Sequence, residues 1–109
     1  MMSSSVHTRS LRSTLQAILW LQSAPDISPI TQEQIATAAD ISLRQVANCL
    51  LGLKVQEVLS WDRDSQWSGP GIRYCYTVNL KRAFQYEYVN QDFINLLDLK
   101  RQRLMAQAA

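Results

Sequence analysis

The chain is poor in the residues on which most catalytic and metal chemistry depends. It has one histidine, His7, and two cysteines, Cys49 and Cys75, among 109 residues. The cysteines stand far apart with no Cys-x-x-Cys spacing. A zinc site and a Cys–His nucleophile therefore have no support, and no metal is expected. Both thiols are expected to be reduced and buried, the usual fate of free cysteine. Glycine-rich phosphate loops are absent, and no pair of acids stands where a catalytic cleft is expected. An enzyme is thus the least favoured class, and no cofactor is expected. No apolar run reaches the length of a membrane span. The opening MMSSSVHTRS is polar and leads into an amphipathic segment, unlike a secretory signal, so the expected location is the cytoplasm.

Charge is also sparse. Charged residues make up 18% of the chain and the formal net charge is +2. Any footprint on a polyanion must then be local. The acids are unevenly placed: none precedes Asp26, while Arg9 and Arg12 do, and Lys100, Arg101 and Arg103 follow Asp98 with no acid after them. Against this, hydrophobic residues reach 47%, which suits one modest core rather than a disordered chain.

The apolar residues are organised by period. Residues 1–9 read as a flexible lead. Leu11, Leu15, Ile18 and Leu19 then share a helical face, and Pro25 ends that helix within the loop Ser23–Pro29. A second helix is expected after Thr31, where Thr31 and Gln34 have the capping-box spacing. Ser42 and Gln45 repeat it, opening a third helix with Val46, Cys49, Leu50 and Leu53 inward. Val58, Leu59 and Trp61 begin a strand. A second strand alternates, with Ile72, Tyr74, Tyr76, Val78 and Leu80 on one face and Arg73, Cys75, Thr77 and Asn79 on the other. The breaker-rich loop 64–71 joins them as a hairpin with a projecting tip. One long helix is expected from Arg82 to about Ala106.

Helices two and three are linked only by Asp40-Ile41-Ser42, which forces a steep crossing. The stretch from Ile30 to Trp61 resembles the winged helix-turn-helix family of bacterial regulators. The residues responsible are Ile30-Thr31-Gln32-Glu33-Gln34-Ile35-Ala36, Ile41-Ser42, Val46, Leu50, Leu53 and Val58-Leu59. The resemblance extends from Leu11 to Leu80. Two departures stand out: the family usually has glycine just before the first wing strand, where Glu57 stands, and the third helix is less basic than usual. The fold implied is mainly α with a small β-hairpin wing, a winged helix-turn-helix followed by a long C-terminal helix. Its parts are the lead 1–9, the winged domain 10–81 and a dimerisation helix 82–109.

The resemblance implies binding to double-stranded DNA, with the third helix in the major groove and the wing on the backbone or minor groove. Thr31, Gln32, Ser42, Leu43, Arg44, Gln45 and Asn48 are the candidate contacts of the helical part. Arginine can donate two hydrogen bonds to guanine, and glutamine or asparagine can pair with adenine in the same two-point manner. The wing offers Arg63, Gln66, Trp67 and Arg73. Asp62 and Asp64 flank Arg63 and oppose a phosphate role, and Trp67 can stack, insert into a groove or fold back. Tyr86, Val89, Phe93, Leu96, Leu97 and Leu104 recur along the last helix and are expected to form a homodimer seam. A homodimeric, repressor-like transcriptional regulator heads the expectations. A replication, plasmid-partition or phage DNA-binding role remains open, as does a winged module that binds protein, favoured by Leu43 and Leu51.

Overall fold

The computed structural model describes residues 2–23, 29–69 and 71–108. The chain runs α1 (Met2–Gln22), α2 (Gln32–Ala39), α3 (Leu43–Val55), β1 (Leu59–Arg63), β2 (Tyr74–Val78), α4 (Leu80–Gln85) and α5 (Gln91–Ala108). It is mainly helical, with one two-stranded antiparallel hairpin and a long C-terminal helix. Most of the expected loop after Ser23, residues 24–28 with Pro25, lies outside the described residues.

α1 is the spine. Leu11, Leu15 and Ile18 recur at helical spacing and are buried against Ile35 of α2 and Val46, Cys49, Leu50 and Leu53 of α3. Full burial of a side chain such as Leu15 contributes roughly 1.5–3 kcal/mol. Val58, Leu59 and Tyr76 bring the base of the hairpin into the same core, and Ala83, Tyr88 and Val89 join it from the chain beyond. The core therefore does not stop at residue 81.

Both capping boxes form. Thr31 Oγ1 accepts from the Gln34 amide at 3.2 Å while Gln34 Oε1 accepts from the Thr31 amide at 2.8 Å. Ser42 Oγ accepts from the Gln45 amide at 3.1 Å, and Gln45 Oε1 accepts from the Ser42 amide at 3.0 Å. Each box satisfies donors that the first turn of its helix leaves without intrahelical partners.

The helix ends follow one rule three times. Asp40, Glu57 and Glu87 have φ of 57°, 60° and 62°. Each sits just past α2, α3 or α4, and the next amide reaches back to the helix: Ile41 to Ala36 O, Val58 to Leu53 O and Tyr88 to Ala83 O. The left-handed residue donates to Thr37, Lys54 or Phe84 O respectively. This is the Schellman arrangement, which normally places glycine at the left-handed position. A carboxylate-bearing residue there meets a steric cost of roughly 1–2 kcal/mol. The apolar contact that usually accompanies the motif is available each time: Ile41 with Ala36, Val58 with Leu53, Tyr88 with Ala83.

The hairpin pairs Leu59 with Val78, Trp61 with Tyr76 and Arg63 with Tyr74. The far edge of β2 is also occupied. Ile30 and Tyr74 exchange two backbone hydrogen bonds of 3.1 Å, and Gln22 clamps Tyr76 with its amide, accepting from N at 3.0 Å and donating to O at 3.1 Å. β2 thus has partners on both sides, which leaves no open template along that strand.

Four expectations need correction. α1 starts at Met2, so the lead 1–9 is helical rather than irregular over residues 2–9. No glycine or proline breaks that stretch, and serine is only a mediocre helix former rather than a stop signal. β2 is shorter than the alternation, because Asn79 caps α4 through its side chain and diverts Leu80, while Ile72 stays exposed. Cys49 is buried but Cys75 is exposed on the outer face of β2. The single helix from Arg82 is two, separated by the turn at Glu87, and α5 restarts where Asn90 Oδ1 accepts from the Phe93 amide at 2.9 Å.

Candidate nucleic-acid interface

The turn from Asp40 to Ser42 sets the direction of α3. Its inward stripe is buried, so the opposite face is presented outward. Arg44, Ala47, Asn48, Leu51 and Val55 lie on that face at three- and four-residue steps, and all are exposed. The strip is polar at its N-terminal half and apolar beyond. Leu51 is 60% and Val55 82% exposed. Val55 escaped the sequence reading, although it continues the series Arg44, Asn48, Leu51 by one more helical step.

The candidate residues of the helical part divide into two kinds. Arg44 and Asn48 are exposed one turn apart, and Leu43 is exposed beside them. Thr31, Ser42 and Gln45 instead serve the caps, and the Gln45 carboxamide is held by its own helix start. Gln32 is half-buried at the first position of α2.

The second group sits on the hairpin. Asp64 builds the turn: its Oδ1 accepts from the Gln66 amide at 3.1 Å, its carbonyl accepts from the Trp67 amide at 3.4 Å and its own amide donates to Arg73 O at 2.9 Å. Trp67 folds back. The Arg73 guanidinium lies 3.8 Å from the centroid of the indole. Gly69 allows the fold, since a Cβ there would come within 2.4 Å of the ring. Arg73 is thus a partly buried stacking partner rather than a projecting cation. Arg63 and Gln66 remain exposed. The acids beside Arg63 do not pair with it: among the described residues the ion pair within 4 Å is Arg82 with Glu57, at 3.0 Å. Lys54, which the sequence reading also passed over, is exposed at the end of α3 with its ammonium 5.2 Å from the Trp61 ring.

The expected seam residues disperse. Val89 and Leu97 are buried within the chain, and Phe93 packs against the core. Tyr86 stacks on Tyr88 with centroids 5.4 Å apart, and Tyr88 Oη donates to Gln56 Oε1 at 2.7 Å. Leu96 is exposed and Leu104 half-buried. α5 is held to α1 through Lys100, whose ammonium donates to the Trp20 carbonyl and lies 4.2 Å from the Trp20 ring centroid. Partial burial pushes the Lys100 pKa down. Burial pushes the Cys49 thiol up, with the Thr14 hydroxyl pulling the other way.

Among the described residues no helix is long and apolar enough to cross a membrane, and no cluster of three or more metal-ligating side chains occurs. No family model matches the chain, and neither a curated protein nor a solved structure matches it.

Proposed function

We propose that this chain is a winged helix-turn-helix protein that binds double-stranded DNA in the cytoplasm as a homodimeric, repressor-like regulator. The observation that supports it most is the doubly capped α2–α3 corner, which buries one face of α3 and leaves Arg44 and Asn48 exposed one turn apart. In the major groove, Arg44 would donate to guanine O6 and N7, and Asn48 would take adenine N6 and N7. Arg63 and Gln66 on the hairpin would meet phosphates, which position the protein without reading sequence. Thr31, Ser42 and Gln45 act by holding the two helix starts, and Trp67 and Arg73 by shaping the wing. Dimerisation involves the C-terminal helix. Occlusion of a promoter needs no further domain.

The apolar end of the strip, Leu51 and Val55, favours a second reading, in which α3 docks on another protein. Selection from a random duplex pool at two salt concentrations separates them. The expected result is an enriched inverted repeat whose affinity falls with salt. Arg44→Ala and Asn48→Ala should each relax one defined base position by about 1–3 kcal/mol. No retained DNA at low salt would overturn the proposal and favour the protein partner.

A further inference from the structure

α5 carries two stripes with the same four-three-four spacing, offset by one residue. Phe93, Leu97, Lys100 and Leu104 form the first, which is buried or half-buried, with Lys100 resting on Trp20. Asp92, Leu96, Leu99 and Arg103 form the second, about a quarter-turn round the helix. All four of these are exposed, Leu96 by 53% and Leu99 by 49%. Four-three-four is the step of a coiled-coil seam.

The order along the second stripe is acid, leucine, leucine, base. Read backwards it is base, leucine, leucine, acid. An antiparallel copy laid on it therefore places Leu96 on the partner's Leu99, and Asp92 on the partner's Arg103, at both ends at once. A parallel copy places Asp92 on Asp92 and Arg103 on Arg103. Among the described residues neither charge has an ion partner within the chain. We propose that Asp92, Leu96, Leu99 and Arg103 form a two-fold, antiparallel seam with a second copy of this chain. The self-complementary charge order is what selects that occupant, because an isologous interface must match its own reverse. The inference rests on the homodimer of the proposed function and assigns its surface. It displaces Val89 and Leu97, which their own chain already covers.

The test is sedimentation of the full chain without DNA, with helix content followed by circular dichroism. The wild type is expected to dimerise. D92R and R103D should each weaken the dimer at least about tenfold, since like charges then face each other twice. The double variant D92R/R103D, and an equimolar mixture of the two single variants, should restore it. Leu96→Gln, at an exposed site, should also dissociate the dimer with helix content unchanged. A wild type that is monomeric at its highest soluble concentration would overturn the proposal. So would single charge reversals without effect, or a double variant and mixture that fail to recover. Monomers that still select a DNA half-site would sink the homodimer and this seam but leave the DNA reading, and a dimer that selects no DNA would sink the DNA reading alone.

Discussion

The α1–α3 bundle and α5 are both amphipathic, yet they dispose of their apolar residues differently. Leu15, Ile18, Ile35 and Leu53 lose all contact with solvent inside the bundle. α5 buries Leu97 against its own chain and leaves Leu96 and Leu99 half in water. The bundle's stability is thus set locally, by packing that a monomer completes. α5 is held through a few contacts, the Lys100–Trp20 clasp among them, and keeps surface in reserve. A helix of this length gains little by exposing leucines unless another surface covers them.

The sharpest way to break that contrast is truncation. Leu15→Ala is expected to cost about 2–5 kcal/mol in urea denaturation, because the packed site cannot collapse fully around the gap. Leu99→Ala in dilute monomer should stay within about 0.5 kcal/mol, as exposed changes do. Comparable losses at both sites would mean that α5 belongs to the core as firmly as α1.

The joints come next. Glu57→Val and Glu87→Val place a β-branched side chain at a left-handed position, and each should cost about 1–3 kcal/mol. The corresponding glycine variants should be neutral or slightly stabilising, even though Glu57→Gly also gives up the exposed pair with Arg82. If the Glu87→Val chain alone becomes protease-sensitive within α5, the joint before that helix is what holds it in place.

A small effect at neutral pH is expected at Tyr76. Its hydroxyl is buried without a hydrogen-bond partner among the described residues, and burial pushes its pKa up to about 12. Tyr76→Phe should therefore change neutral-pH stability by less than about 1 kcal/mol. In the folded chain the phenol keeps its proton after an unfolded one, with its ordinary value of 10.0, has lost it. Stability present below pH 10 should then fall as pH rises towards 12. The phenylalanine variant should lose less over that window, measured by denaturant midpoints across the alkaline range.

Much of the bundle was legible because its signals are local. Thr31 with Gln34 and Ser42 with Gln45 mark helix starts by side-chain chemistry alone, and both boxes form as read. The alternation of Tyr74, Tyr76 and Val78 likewise gave the inward face of β2. The break at Glu87 was not legible, since neither glycine nor proline announces it. The turn is instead imposed by Tyr88 and Val89 entering the core and by the Arg12 Nε donating to the Glu87 carbonyl at 3.2 Å. The Arg12 contact spans 75 positions, and helical periodicity carries no trace of such long-range packing. On α3, exposure followed from the inward stripe. The Ser42–Gln45 capping box commits the Gln45 carboxamide to its own helix start, which competes with a base-reading role.

The folded-back indole of Trp67 has a mechanical meaning. A hairpin tip of small polar residues would sample many shapes, and a docking surface would have to freeze them. Here the ring, clamped between Arg73 and the bare backbone of Gly69, turns the tip into a moulded knuckle. Ordering a rotamer-rich side chain on contact costs about 0.5–1.5 kcal/mol. Arg73 and Trp67 hold each other within the chain, so the tip has the character of a template rather than of a tether.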